Sequence, residues 1–378
     1  MERDQASKFI NDLLKLMVSR NSSDLFITAE FPPAIKVDGK ITKVSPQPLT
    51  PGHTLTLARS IMSDRQIADF ERTKECNFAI SPAGIGRFRV NAFIQQGHVG
   101  LVLRTIPLTL PTIDGLGLPQ ILKEIALSKR GLCIVVGATG SGKSTTLAAM
   151  TDWRNENSYG HIITVEDPIE FVHLHKNCVI TQREVGLDTD SWDAALKNTL
   201  RQAPDVILMG EIRDRETMEH AIVFSETGHL CLATLHANSA NQALDRIVNF
   251  FPEERRQQLL MDLSLNLRAM VSQRLIPKQD GKGRVAAIEL MINTPLIADL
   301  VFKGEVTELK EVMKKSRNLG MQTFDQALFD LFEANMIDYE DALRNADSVN
   351  DLRLQIKLGS QRARQTNLAA GTEHFAIV

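Results

Sequence analysis

The residues best suited to chemistry in this sequence form a glycine-rich stretch near the middle of the chain. Five apolar residues at 132–136 precede the pattern G-x-x-x-x-G-K-S, and a helix-like run follows it. Glycines let a loop turn several backbone N–H groups inward, and the positive end of the next helix faces the same point, so the pattern predicts a nucleoside triphosphate site. Lys143 is expected to reach the outer phosphates, and the Ser144 hydroxyl to hold Mg²⁺. The candidate nucleotide-binding residues are Gly137, Ala138, Thr139, Gly140, Ser141, Gly142, Lys143, Ser144 and Thr145.

Acidic or histidine side chains flank three further apolar runs. A carboxylate beside a bound triphosphate can bind the water shell of Mg²⁺ or polarise the attacking water. One such acid alone would more often be a helix N-terminal charge, and a lone histidine would more often be structural. Three flanked runs after one phosphate loop favour phosphoryl transfer, although spacing does not rank the acids. The candidate catalytic residues are Glu166 and Glu170 after 161–165, Glu211 after 205–209 (also a candidate metal ligand), and His229 and His236 on either side of 230–235.

Arginines near the N-terminal end of the chain are a second group of candidates. Nucleotide hydrolysis of this kind often needs an arginine from outside the nucleotide's own domain or subunit. Arg89 and Arg104 lie on predicted strands, and the two-residue period puts Arg87 and Arg89 on one face while Phe88 and Val90 take the other. A solvent-facing side of a sheet would explain these arginines equally well.

The second half of the chain must position these groups, and its pattern is that of an α/β fold. Apolar runs at 132–136, 161–165, 178–181, 205–209 and 230–235 alternate with helical stretches at 143–155, 191–203, 214–227 and 240–250. Alternation of this kind predicts a parallel sheet with helices on both faces. Steps of three and four join Leu259, Leu263, Leu267, Met270 and Val271, so a long helix is expected after Pro252. Further helices to about 358 are expected to form a bundle within a domain over 120–360, followed by a loose tail over 361–378.

The first 105 residues predict a small α+β domain with one antiparallel sheet. An amphipathic helix is expected at 7–20, a hairpin around Asp38-Gly39, a helical region at about 54–72, and strands at 76–80, 86–93 and 99–106. Residues 106–119 are rich in proline and glycine and predict a hinge linker.

Composition narrows the classes of protein that the chain can belong to. It has 378 residues, 43 Lys and Arg against 46 Asp and Glu, and a net charge of −3. This balance predicts no general affinity for nucleic acid or anionic lipid. The charged N-terminus and the absence of an 18-residue apolar run predict neither a signal peptide nor a membrane span.

Four motifs, taken together and in order, resemble those of the secretion ATPase superfamily. GATGSGKST, ITVEDPIEF, DVILMGEIRD and GHLCLATLHANSA are similar to its Walker A, Asp box, Walker B and His box. RFRVNAF, RVAAIELMINTP and GMQTFDQAL further resemble the type IV pilus retraction ATPases, and the similarity spans roughly 5–358. Where the principal retraction motors carry an AIRNLIRE-like segment, this chain has LIADLVFKGE at 296–305, so it looks like an accessory member of that group.

The resemblance implies a PAS-like domain, a linker and a RecA-like P-loop ATPase domain in a homohexameric ring. It implies that Lys143 and Ser144 hold ATP and Mg²⁺, and that Glu170 and Glu211 handle water and metal. His229 and His236 would sense the nucleotide or brace the subunit interface, and Arg89 and Arg104 would reach nucleotide from the N-terminal domain. The implied partners are a PilT-type retraction ATPase and the inner-membrane platform protein of the pilus (PilC-type), at the cytoplasmic face of the inner membrane.

Three other functions remain open from the sequence. A RecA-like nucleic-acid translocase would share the core, but the near-neutral charge and the 5% aromatic content argue against a basic channel with stacking residues. A non-hydrolysing adaptor would bind ATP only to hold a partner. An extension or secretion motor is disfavoured because such relatives typically carry a four-cysteine metal module, whereas the four cysteines here are scattered.

Overall fold

The computed structural model describes residues 2–37, 39–107 and 109–366, and it divides the chain into two compact units. The first unit is 1–109 with 170–172, and the second is 110–169 with 173–378. In the described part of the chain, no helix is both long and apolar enough to cross a membrane.

The first unit is a six-stranded antiparallel sheet with helices packed on it, in the order β3-β2-β1-β6-β5-β4. The amphipathic pattern near the N-terminus is confirmed, since Ile10, Leu14 and Met17 of its first helix are fully buried. The predicted helix at about 54–72 is two helices, because the first ends at Ile61 and Ser63 caps the second by accepting a hydrogen bond from the Gln66 N–H. The elements are α1 (Arg3–Ser19), β1 (Asp24–Ile27), β2 (Ala34–Val37), β3 (Lys40–Lys43), α2 (Pro51–Ile61), α3 (Asp64–Thr73), β4 (Glu75–Ile80), β5 (Arg87–Gln95) and β6 (His98–Ile106).

The predicted hairpin in this unit is present as a strand pair. Strands β2 and β3 pair in antiparallel fashion from Val37 and Lys40 outward. Asp38, on which the turn prediction partly rested, lies outside the described residues.

The second unit is a seven-stranded sheet covered by helices, in the order β13-β12-β7-β11-β10-β8-β9. Strands β12, β7, β11, β10, β8 and β9 run parallel, and β13 is an antiparallel edge strand. The predicted α/β fold is therefore confirmed. The elements are α4 (Ile121–Ala126), β7 (Gly131–Val136), α5 (Lys143–Asn157), β8 (Gly160–Glu166), β9 (Cys178–Glu184), α6 (Trp192–Thr199), β10 (Val206–Met209), α7 (Arg215–Glu226), β11 (Leu230–Leu235), α8 (Ala240–Asn249), α9 (Glu253–Asn266), β12 (Leu267–Pro277), β13 (Arg284–Ile292), α10 (Pro295–Lys303), α11 (Leu309–Lys315), α12 (Phe324–Glu333), α13 (Tyr339–Arg344), α14 (Val349–Gly359) and α15 (Gln361–Thr366).

Two strands lie where the sequence predicted only helix. Helix α9 ends at Asn266, so Met270 and Val271, which were expected on its apolar face, belong to β12 instead. Residues 269–273 are all buried because β12 lies between β7 and β13 inside the sheet. Apolar residues of a buried strand can also fall three and four positions apart, so their spacing alone does not distinguish a helix from a strand.

The residues predicted as linker and tail include packed segments. Ile113 and Leu118 of the predicted hinge linker over 106–119 are buried in the core of the second unit, and the role of this segment as a hinge stays a prediction. The predicted tail starts with helix α15, which is anchored because Arg362 donates hydrogen bonds to the carbonyl oxygens of Phe332 and Ile337. Residues 367–378 lie outside the described residues.

Candidate nucleotide-binding site

The carboxyl ends of neighbouring parallel strands bring most of the candidate residues to one edge of the second sheet. Strand β7 leads into the glycine-rich loop, β8 ends at Glu166, β10 is followed by Glu211, and β11 is followed by His236. Strand β11 lies between β7 and β10, and β10 lies between β11 and β8. The phosphate loop and the acidic strand ends therefore face the same side, as ligand sites in parallel sheets do.

The backbone of the phosphate loop requires glycine at its first and last positions. Gly142 has a φ of +88°, a left-handed conformation that L residues rarely adopt. A Cβ at Gly137 would lie 2.3 Å from the Ser141 Oγ, so a side chain there would fill the loop. That Ser141 hydroxyl is buried and has no hydrogen-bond partner within the described residues, so it is a polar group suited to a ligand oxygen.

Lys143 lies over this loop at the start of α5. Its Nζ donates to the carbonyl oxygens of Gly137, at 2.8 Å, and Ala138, at 3.0 Å. Burial lowers the pKa of the Lys143 ammonium, and the nearby Glu211 carboxylate opposes that shift. A partly desolvated cation aimed at the loop is the charge that a triphosphate needs.

Gln273 packs against the loop and was not among the candidate residues predicted from the sequence. It lies on β12 beside β7, and its Oε1 accepts a 2.6 Å hydrogen bond from the Thr146 Oγ of α5. A Cβ at Gly142 would lie 2.7 Å from the Gln273 Nε2, so the loop packs directly on this amide. The signal in the sequence was three polar residues, Ser272, Gln273 and Arg274, between the apolar stretches 269–271 and 275–276.

Glu211 is the candidate acid that the structure places most clearly at this edge. The preceding Gly210 is fixed because its N–H donates to the Val165 carbonyl at 2.8 Å and its carbonyl accepts from the Thr234 hydroxyl at 2.5 Å. The Glu211 carboxylate is half-buried and pairs with Arg213 through one oxygen. His236 Nε2 is 3.4 Å from the other oxygen. An acid and a histidine from two neighbouring strand ends therefore lie together at this edge.

The other two acids differ in their surroundings. The Glu166 carboxylate accepts hydrogen bonds from the Thr164 hydroxyl, at 2.6 Å, and the Gln182 amide, at 3.3 Å, so it is held against the strands. Glu170 is exposed and belongs to the 170–172 segment that groups with the first unit. A catalytic role for Glu170 therefore remains a prediction.

His229 does not join this group. It precedes β11, whereas His236 follows it, and the six intervening residues span about 20 Å at roughly 3.3 Å per residue. The Nδ1 of His229 is bonded to Thr227 and to the Phe224 carbonyl at the opposite edge. His229 therefore lies at the edge of the sheet opposite to His236, and its role in sensing the nucleotide or bracing a subunit interface stays a prediction.

The candidate arginines belong to the first unit, where they form a cross-strand pair. Arg89 of β5 lies directly opposite Arg104 of β6. The predicted alternation is confirmed, since Phe88 and Val90 are fully buried while Arg89 is half-exposed. Arg104 Nε donates to the buried Asp24 carboxylate at 2.8 Å, and this contact lowers the pKa of Asp24 although burial alone would raise it.

A cavity of about 270 Å³ opens beside the phosphate loop. Arg274 and Arg284, from β12 and β13, contribute positive charge to its wall. The cavity therefore lies between the phosphate loop and two arginines, of which Arg274 is paired with Asp347 at 2.8 Å. It is lined by Ala138, Thr139, Gly140, Ser141, Asn238, Gln273, Arg274, Leu275 and Arg284.

The same edge offers oxygen ligands for Mg²⁺. Ser144 is exposed at the start of α5, and Glu211 follows β10. A hydroxyl and a carboxylate are the ligands that Mg²⁺ accepts, with water and phosphate completing its shell. The residues present fit the ion by their chemistry.

Comparison with known proteins agrees with this geometry. The family described as Type II/IV secretion system protein matches residues 2–329. The chain is 62% identical to the type IV pilus ATPase PilU of Pseudomonas aeruginosa over 92% of this chain and 91% of that protein. It is 44% identical to the type IV pilus retractation ATPase PilT of the same organism, over 89% of this chain and 98% of that protein. The crystal structure of the pilus retraction motor PilT with bound ADP matches at a TM-score of 0.86 and 41% identity, covering 91% of this chain and 99% of that one. These similarities extend along nearly the whole chain and agree with the phosphate loop and the strand-end glutamate of the second sheet. The protein therefore belongs to the Type II/IV secretion system protein family, within the secretion ATPase superfamily.

Proposed function

We propose that this chain is an ATP-hydrolysing motor that powers or assists type IV pilus retraction. The observation that carries the proposal is the shared sheet edge, where Lys143 and Glu211 meet on a chain that is 62% identical to PilU. Retraction of a pilus is mechanical work, and a nucleoside triphosphate site built on a rigid sheet can supply its energy.

The chemistry follows from what each side chain can do. Lys143 binds the outer phosphates as a point charge, and the loop N–H groups orient them. Glu211 orients the attacking water by accepting a hydrogen bond from it, and His236 fixes the orientation of the Glu211 carboxylate. Mg²⁺, held by Ser144 and Glu211, would supply charge neutralisation on the phosphate oxygens. Arg89 and Arg104 are proposed to stabilise the transferred phosphoryl group from a neighbouring domain or subunit.

The proposed assembly is a homohexameric ring at the cytoplasmic face of the inner membrane. A nucleotide held between two copies makes a head-to-tail contact, and such contacts close into rings when their rotation permits. Release of phosphate is proposed to change the shape of the ring. The ring is proposed to act on a PilC-type platform protein and with a PilT-type partner.

Dependence on the partner is supported by helix α10. This helix carries LIADLVFKGE where principal retraction motors have their AIRNLIRE-like segment. It exposes Leu296 and Phe302 and pairs Lys303 with Asp299 along its outer side. The surface offered at this position therefore differs in charge from the arginine-rich segment it replaces.

The experiment is pilus retraction measured in cells that carry this chain alone, a PilT-type motor alone, or both. A fourth strain carries this chain with a partner whose phosphate-loop lysine is replaced. We expect retraction in the fourth strain, none with this chain alone, and loss of retraction in the fourth strain when Lys143→Ala is introduced. Retraction by this chain alone would overturn the partner dependence, and retraction unaffected by Lys143→Ala would overturn the motor function.

A further inference from the structure

Arg213 joins two acidic residues that follow two neighbouring strands of the second sheet. Its Nε donates to the Glu211 carboxylate after β10, and its Nη2 lies 3.2 Å from the Asp167 carboxylate after β8. The guanidinium carbon is 5.4 Å from the centre of the Trp192 ring, which gives the cation a flat surface to rest on. The Arg213 N–H also donates to the Thr217 hydroxyl at 3.0 Å, so the backbone of this residue is fixed. The Arg213 side chain, unlike its backbone, can therefore move between the Glu211 and Asp167 carboxylates.

Each oxygen of the Glu211 carboxylate has a partner in this arrangement. One of its oxygens is paired with Arg213 and the other faces His236 Nε2 at 3.4 Å. A carboxylate that is neutralised by a guanidinium attracts a water proton less strongly than an unpaired one.

We propose that Arg213 is an inhibitory latch on Glu211, a proposal that rests on the ATPase function above. In the latched arrangement Arg213 occupies the oxygen of Glu211 that the attacking water requires. Hydrolysis requires the Arg213 guanidinium to move away from Glu211. The guanidinium then stays paired with Asp167. Trp192 keeps the cation close during the exchange, so the latch closes again after each turnover.

The size of the effect follows from the exposure of the pair. The Arg213 and Glu211 side chains are 41% and 25% exposed, so solvent screens their attraction. Ion pairs at this exposure are weak, and releasing one in advance is expected to raise kcat by roughly two- to fivefold. The KM for ATP is expected to stay unchanged, because the phosphate loop does not touch Arg213 in any described contact.

The test is the steady-state ATPase rate of the full chain carrying Arg213→Gln. Arg215→Gln is the matched control, because the Arg215 side chain is also 41% exposed and its ion pair, with Glu219, does not reach Glu211. We expect a higher kcat for Arg213→Gln and the wild-type rate for the control. Thermal unfolding of each variant shows whether its fold is retained.

An unchanged or lower kcat in a folded Arg213→Gln protein would overturn the latch. A rise in kcat that Arg215→Gln reproduces would overturn it as well, since that rise would follow from surface charge. The proposed function fails separately, through a wild-type chain whose hydrolysis is absent or survives Lys143→Ala. Loss of activity therefore cannot be mistaken for loss of the latch.

Discussion

Replacing Gln273 by leucine removes the acceptor of a hydroxyl that has no access to water. The Thr146 Oγ donates to Gln273 Oε1 at 2.6 Å, and Thr146 is fully buried. Leucine is close to glutamine in volume, so the change leaves the polar defect as its main effect. A buried donor without a partner costs about 1–3 kcal/mol, and we expect the free energy of unfolding of the second unit to fall by that amount.

A double-mutant cycle separates this contact from general damage. Thr146→Val leaves the Gln273 amide unpaired in the same way, but the double variant leaves neither group without its partner. We expect the sum of the two single losses in unfolding free energy to exceed the loss in the double variant by roughly 1–2 kcal/mol.

Urea unfolding followed by tryptophan fluorescence measures these free energies. Both tryptophans, Trp153 and Trp192, belong to the second unit, so the signal reports on the unit that carries the contact. ADP titration gives a second readout, and Gln273→Leu is expected to weaken ADP binding about tenfold, or 1.4 kcal/mol, because the loop packs on this amide. The reasoning would be refuted if the sum of the two single losses in unfolding free energy matched the loss in the double variant within about 0.5 kcal/mol.

Two further predictions concern the loop and a buried acid. Gly142→Ala is expected to weaken ADP binding at least tenfold in a direct titration, because its Cβ would lie 2.7 Å from Gln273 Nε2. The control is Gly228→Ala, at a similar φ of +97° with no atom near the added Cβ, and it should leave ADP binding unchanged. Equal losses of ADP affinity in the two variants would contradict this prediction. Burial raises the pKa of Glu289 above its ordinary 4.5, against hydrogen bonds from Ala240 and Ser272 and the charge of Lys310, so the folded state holds the proton more tightly. Its contribution to stability is therefore present at low pH and is lost as pH rises through the raised pKa, and Glu289→Gln should gain stability relative to wild type as pH rises from about 5 to 8 in urea unfolding. A difference between the two proteins that does not change with pH would contradict that sign.

The sequence predicted the parts of the fold that local chemistry determines. Fully buried parallel strands such as β7 and β10 are continuous apolar runs, and their turns into loops carry glycine or acidic residues. The phosphate loop was found because its spacing, its preceding strand and its following helix agree. Phe88 and Val90 were placed correctly because a strand has only two faces.

What the sequence missed depends on which element lies next to which. Strand β12 was predicted as helix, so Gln273 could not be placed under the phosphate loop, a contact between residues 127 positions apart along the chain. Arg213 was passed over because its two carboxylates come together only when β8 and β10 are neighbours. The separation of His229 from His236 could have been predicted, since residues before and after one strand lie at opposite edges of a sheet.

The most direct test of the account is ATP turnover by the purified full chain with and without Lys143→Ala. Lys129→Ala is a suitable control, because Lys129 is exposed and precedes β7 at the opposite edge of the sheet. The account predicts that Lys143→Ala abolishes hydrolysis, that Lys129→Ala retains it, and that all three proteins unfold at the same temperature. Undiminished hydrolysis in a folded Lys143→Ala protein would contradict the assignment of this edge as the site of phosphoryl transfer.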